Sequence, residues 1–283
     1  FSIYLLLILL PFLSVAQDFF SWKLSDRYFS FYIGTGTATY FGELNTNNEI
    51  NDRPSLFTTG IEARLLSRVG FRVELSYLSL SGSDGNAPDG SFQRQRNLSF
   101  ESNNYHAHLG LTYYMKPYRG YYYKRWIFDP YLVAGIGYLR YNPATELQGE
   151  RYLLREAQTE GVLYRKGSLT IPFGLGAKFR VNDFININAE VLYHLTFTDY
   201  VDDVSKTYAA EFNSSTAAFL SNRKDEVGVL NPTFYDQIQP GAARGNPGDN
   251  DRFLLISIKA EIFLSPYLFS GNKKATPKKR PPY

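Results

Sequence analysis

Three histidines, a short acidic run and two glycine pairs are the residues whose types and spacing could do chemistry. His106 and His108 stand two apart, so in an extended segment they share one face, and His194 falls on the inward parity of a later segment. Three imidazoles can hold a transition metal, but no carboxylate at ligand spacing accompanies them, and buried histidine is commonly just a satisfied polar side chain. Asp199, Asp202 and Asp203 offer oxygen ligands without the spacing of a calcium loop, so a capped turn or helix start in a surface loop is expected. Gly34-Thr-Gly36 and Gly135-Ile-Gly137 are fragments of a phosphate loop with no helix following, which points to strand packing. The chain has no cysteine, which excludes thiol catalysis, disulfides and cysteine-ligated zinc. The sequence therefore assigns no catalytic residue, no metal ligand, no cofactor and no small-molecule substrate.

The elements that must carry these residues are strands. From Asp183 to Tyr193, Ile185, Ile187, Ala189, Val191 and Tyr193 form one apolar face, and Asn186, Asn188 and Glu190 form the other. The alternation recurs. Phe29, Phe31 and Ile33 lie opposite Gly34 and Gly36, and Thr59, Ile61, Ala63 and Leu65 lie opposite Gly60, Glu62 and Arg64. Phe71, Val73, Leu75 and Tyr77 oppose Arg72, Glu74 and Ser76; Tyr105, Ala107, Leu109, Leu111 and Tyr113 oppose His106, His108, Gly110 and Thr112. A fifth strand is expected over 130–142, and a sixth over 168–180 sets Leu169 to Phe179 against Thr170 to Arg180. The last strand, 252–263, sets Leu254, Ile256, Ile258, Ala260 and Ile262 against Ser257, Lys259 and Glu261. The polar faces carry full charges, the inverted logic of a membrane barrel with apolar residues outside and charge inside.

Composition agrees. Mean hydropathy is −0.28, and after the N-terminal run no apolar stretch approaches the roughly 20 residues of a spanning helix. Aromatic residues make up 17%, with 23 Tyr and 22 Phe against 2 Trp, a balance suited to rings at both membrane interfaces. A formal charge of +3 is too small to argue for nucleic acid. Residues 1–17 have the short apolar core of a secretory signal peptide, with a basic segment expected before Phe1. The expected organisation is a signal peptide over 1–17, a periplasmic lead-in over 18–27, an outer-membrane barrel over 28–265 and a basic periplasmic tail over 266–283.

The fold expected is a closed antiparallel transmembrane β-barrel of about eight strands with long surface loops and a plugged interior. Closure is required because an open edge in lipid leaves backbone groups unpaired at several kcal/mol each. The inward set of Arg64, Arg72, Lys178, Arg180 and Lys259 against Glu62, Glu74, Glu190 and Glu261 is nearly neutral. In the narrow lumen of eight strands these side chains should pair, as a lumen charge network and not a pore. With both termini periplasmic, long surface loops follow the odd strands and short turns follow strands 2 and 6. Within the loop after strand 5, residues 147–158 suggest a short helix. The connection 116–129 breaks the economy of the turns. It carries Tyr118, Arg119, Tyr121, Tyr122, Tyr123, Lys124, Arg125 and Trp126, residue types enriched where proteins bind proteins, and also suited to anchoring at headgroups. Lys273, Lys274, Lys278, Lys279 and Arg280 of the tail lie on the same side.

Several stretches in this order resemble a known family: Tyr40-Phe-Gly-Glu-Leu44, Arg96-Asn-Leu-Ser-Phe100, Pro130 to Tyr138 with Asn142-Pro143, Thr198-Asp-Tyr-Val-Asp-Asp-Val204, and Arg244-Gly-Asn246. Together they resemble the PorG-like outer-membrane barrels of Bacteroidota, associated with the type IX secretion system. The resemblance spans residues 28–263 and implies a non-enzymatic component in contact with outer-membrane lipid and with the periplasmic ring lipoprotein of the secretion machine. Two other readings share the barrel: a structural or adhesive barrel of the OmpX type acting through its loops, and a lipid-modifying enzyme with a Ser/His/acid set on its outer wall. The inward parity of the histidines counts against the enzyme.

Overall fold

A computed structural model describes residues 28–45, 55–119, 124–228 and 232–264. Eight long strands form the wall: β1 Tyr28–Phe41, β2 Leu56–Arg64, β3 Val69–Ser83, β4 Ser99–Tyr114, β5 Phe128–Arg140, β8 Gly167–Arg180, β9 Ile185–Thr196 and β10 Arg252–Leu264. Each pairs antiparallel with its neighbours in sequence, and β1 closes the ring on β10 from Phe29↔Leu264 to Phe41↔Arg252. The result is a closed, eight-stranded, up-and-down barrel with no free edge in its wall. No helix among the described residues is long and apolar enough to cross a membrane.

The expected facing holds strand by strand. Leu75, Leu111, Ile136, Leu175 and Ile258 stand exposed on the outer wall, while Glu74, Thr112, Glu190 and Lys259 on the alternate positions are buried. Exposed leucines and isoleucines over most of a wall have no place in water and suit hydrocarbon. Exposed rings bound this belt. Tyr77 and Tyr105 sit side by side in register near one end, with ring centroids 5.3 Å apart, and Phe128 and Phe179 are paired likewise at 5.1 Å near the other. Along β4, Tyr105 and Tyr113 are eight residues apart, about 20 Å along the membrane normal at a barrel strand's usual tilt.

The two ends of the barrel differ. At the turn end, β2 passes to β3 through a tight turn in which Leu65 and Leu66 both donate to the Val69 carbonyl. The β8–β9 turn is held by Asn182, whose side-chain oxygen accepts from the amides of Phe184 and Ile185. At the loop end, the long connections fold into a cap whose buried residues, including Leu44, Leu98, Tyr141, Leu154, Val201 and Leu220, form one continuous core with inward residues of the wall such as Leu78 and Phe253. Three short helices contribute: α1 Phe92–Arg96, capped by Ser91; α2 Leu154–Ala157; and α3 Ser215–Ser221, capped by Ser214.

The helix expected over 147–158 is largely replaced by a hairpin, β6 Ala144–Leu147 and β7 Glu150–Leu153, followed by the single turn of α2. Gln148 and Gly149 have φ of 53° and 84°, the left-handed pair that a two-residue hairpin turn requires. Local turn chemistry wins over the helix-forming composition of the segment. The loop glycines of 34–36 and 135–137 lie within strands, as expected. Gly137 leaves room for a neighbour: a Cβ there would stand 2.7 Å from both His106 Nε2 and Thr170 Oγ1.

Candidate functional site

In the middle of the lumen the charges lie in contact. Lys178 reaches Glu62 at 2.9 Å and Glu261 at 2.7 Å; Lys259 reaches Glu74 at 2.6 Å and also pairs with Glu190, and Arg72 makes a two-pronged contact with Glu190. Tyr32 donates to Glu74 at 2.8 Å and Tyr131 to Glu190 at 2.9 Å. Asn186 and Asn188 donate to Glu261. Each of these carboxylates is thus met by a cation, and Glu74, Glu190 and Glu261 by neutral donors as well, the condition for holding charge away from water. Two members of the inward set lie apart from this cluster. Arg64 turns to Asp129 at 3.0 Å, near the turn-end mouth, and Arg180 is half-buried near the turn end. Tyr32 and Tyr131 escape a reading of charge alone, and Asp129 falls within the connection expected over 116–129; the strand in fact begins at Phe128, and all three side chains are buried.

Above this layer, toward the loop end, the three histidines meet. His106, His108 and His194 are all buried, with one nitrogen of each within 4.8 Å of the others. Phe253 stacks on His194 at 4.3 Å, and Thr170 takes one nitrogen of His106 at 2.9 Å. Three nitrogens bound to one tetrahedral metal stand about 3.3 Å apart, and one nitrogen of His106 is already engaged by Thr170. None of the three lies on the outer wall, where a lipid-modifying site would need them.

At the turn end the described ends of the connection after β4, residues 115–119 and 124–127, lie against one another and against the barrel mouth. Trp126 donates to the Pro117 carbonyl at 2.9 Å and is flanked by Arg119, 3.3 Å from its ring centroid, and by Lys116 at 5.0 Å. Arg125 binds the carbonyls of Asn182 and Asp183, which ties the connection to the β8–β9 turn. Arg64 lies 3.8 Å over the Tyr114 ring, and its Nη2 donates to both the Ser67 and the Lys116 carbonyls. Between these groups is a pocket in which Arg64, Arg119, Arg125 and Lys178 face Tyr118 and Trp126, with Asp129 as the one carboxylate in its lining. Arg119 and Lys124 are exposed and Tyr118 is half-buried. Tyr121, Tyr122, Tyr123 and the tail residues Lys273, Lys274, Lys278, Lys279 and Arg280 lie outside the described residues.

At the loop end the acidic run is buried in the cap. Asp202 accepts from the Val204 amide at 2.8 Å, the turn-forming bond expected of it. Asp203 has φ of 72° and accepts from Tyr164 at 2.7 Å and from Thr159, while Arg244 holds Glu160 at 3.0 Å and Asp203 at 3.5 Å. Burial pushes the Asp203 carboxyl up to about 6 even with Arg244 beside it. Asp199 is driven to about 9 by burial, with Glu43 and Asp251 adding their repulsion. No sequence spacing pointed to Glu43, Glu160 or Asp251, which arrive from separate loops.

The profile of the family described as "Domain of unknown function (DUF6089)" matches residues 13–224. The chain belongs to the DUF6089 family. No curated protein matches it. Among solved structures, this DUF6089 barrel is similar to Neisserial surface protein A, at 12% identity and a TM-score of 0.37 over 84% of this chain and 97% of that one. It is also similar to a major outer membrane protein from Thermus thermophilus, at 12% identity and a TM-score of 0.43 over 84% and 99%. A third is Ail, the attachment invasion locus protein of Yersinia pestis, at 10% and 0.39 over 84% and 99%. Scores this low add nothing to function, and the barrel rests on its own hydrogen-bonded closure. The DUF6089 match runs through both the lumen charges of β2 to β9 and the acidic run of the cap.

Proposed function

We propose that this chain is a non-enzymatic barrel of the bacterial outer membrane that docks a periplasmic protein at its turn end. The supporting observation is the Arg119–Trp126 stack at the mouth of the barrel, beside Tyr118 and Lys124, on a connection far longer than a barrel turn requires. Aromatic rings and guanidinium groups held in place lose little entropy when a partner covers them. In this reading the turn end and both termini face the periplasm. The partner is the ring lipoprotein of a type IX secretion system, as the PorG-like resemblance implies, and the basic tail adds electrostatic attraction. The lumen supports a scaffold role, since its charges are engaged with one another instead of lining an open path.

The test replaces Arg119 and Trp126 by Ser and, separately, truncates the chain after Ser270. Normal membrane insertion with loss of the co-purifying ring lipoprotein supports docking. Full co-purification in both variants contradicts it, and lost insertion assigns the cluster to anchoring at the headgroups.

A second reading is favoured by one observation: the loop end is a folded cap and not a set of separate loops. An OmpX-like barrel acting through that cap would keep its activity in both turn-end variants and lose it on deletion of residues 206–243.

A further inference from the structure

Two buried arginines serve the acidic side chains of the cap. Asp84 is answered by Arg96 at 2.7 Å, and Asp203 and Glu160 by Arg244. Glu43, Asp199, Asp202 and Asp251 have no Lys or Arg nitrogen within 4 Å among the described residues, and Arg96 acts on Glu43 only from beyond that distance. The Tyr40 hydroxyl lies 2.7 Å from Asp202 Oδ2 and 2.6 Å from Asp251 Oδ1. A phenol has one proton to give, so it can satisfy only one of these oxygens. Asp199 is only 6% exposed, and neither of its oxygens receives a well-formed hydrogen bond, Ser205 easing its charge only weakly. Three buried carboxylates with the half-buried Glu43 beside them cannot all stay ionised unless positive charge joins them. Water cannot supply that charge; protons or a cation can.

The geometry points to a calcium-class divalent cation held by Glu43, Asp199 and Asp251 at the base of the cap. One carboxylate oxygen from each lies within 4.8 Å of the others. Calcium takes six to eight oxygens at about 2.3–2.6 Å, so its shell is about 4.8 Å across. The free oxygen of Glu43 and both oxygens of Asp199 are available to it. Asp251 brings oxygens already oriented by Tyr40 and by the Val201 amide. The three residues follow β1, follow β9 and precede β10, which are adjacent strands, so the site stands on the barrel rim and not on a loop tip. An all-oxygen, all-anionic donor set favours a hard cation over zinc or copper. Held there, the ion would join three chain segments and fasten the cap to the wall.

The experiment uses the full chain folded in detergent, stripped with chelator and titrated with calcium chloride at pH 7.4 by calorimetry, with thermal unfolding followed in parallel. The expected result is saturable binding of one calcium per chain and a higher melting temperature with calcium than with chelator. Asp199→Asn should weaken binding at least tenfold, and Asp89→Asn, an exposed carboxylate in another loop, should leave it unchanged. Should Asp199→Asn fail to fold, Glu43→Gln at the half-buried position takes its place. Absence of saturable binding by the unaltered chain at millimolar calcium would overturn the site and leave protons as the neutralising charge. Unchanged affinity in the folded Asp199→Asn or Glu43→Gln variant would overturn it equally.

Discussion

Arg72 on β3 and Glu190 on β9 stand on diametrically opposite strands, four steps apart either way around the wall, and their side chains join at the barrel axis, with Nη2 and Oε1 3.2 Å apart. Lys259 and Tyr131 also reach Glu190, so four strands are tied together through one carboxylate. Breaking a buried pair from one side strands the other charge. Arg72→Met should therefore cost roughly 3–5 kcal/mol. The double change Arg72→Met with Glu190→Gln should cost less than the sum of the two single changes. Urea unfolding in lipid or detergent checks this, and simple additivity would contradict the coupling.

The same contacts predict electrical silence. Side chains that meet across the lumen of an eight-stranded barrel should leave no continuous water column for ions to follow. Purified protein in a planar bilayer should show no sustained conductance, whereas stable ion-selective channels would contradict a filled lumen.

The outer face answers to lipid. Ile258 is 62% exposed on β10, flanked in register by Thr35 and Ala189. Ile258→Arg should cost roughly 2–4 kcal/mol near the midplane, read as a lower unfolding midpoint in lipid vesicles. Equal stability would place that face out of hydrocarbon.

The cap should respond to pH in the absence of calcium. Burial raises Asp199 to about 9 and Asp251 to about 8, and raises Asp202 as well, with Glu43 facing all three. An unfolded aspartate titrates near 3.9, so between about pH 4 and pH 9 the folded cap keeps protons that the unfolded chain has released. The stabilisation is complete below about pH 4 and is lost as pH rises through 8 to 9. Limited proteolysis of residues 197–251 in chelator, normalised to an unfolded control, should be faster at pH 9 than at pH 5. Equal protection would contradict the assignment.

Alternation made the wall legible. Lipid and lumen impose opposite demands at every second residue, so Ile185 to Tyr193 declares its facing without any tertiary information. The alternation of inward charge within each strand named the residues of the lumen but not their partners, because which strands lie opposite depends on closure. Arg72 with Glu190 is a product of the ring, as is the meeting of His106 and His108 with His194. The cap was least legible. Asp203 finds Thr159, Tyr164 and Arg244, and Asp199 finds Glu43 and Asp251, across loops whose polar composition gives no period to follow. The Gln148-Gly149 turn was readable in principle, but it was outweighed by the helix-forming residues around it.

The docking claim is tested most directly by site-specific photocrosslinking in cells, with the probe placed at Arg119 or Lys124 at the turn end and at Val227 in the cap. All three positions are exposed, and Lys124 reports on the turn end with the Arg119–Trp126 stack left in place. The account predicts a crosslink to the periplasmic ring lipoprotein from the turn-end positions and none from Val227. Crosslinks from Val227 with none from Arg119 or Lys124 would contradict it and move the function to the cap.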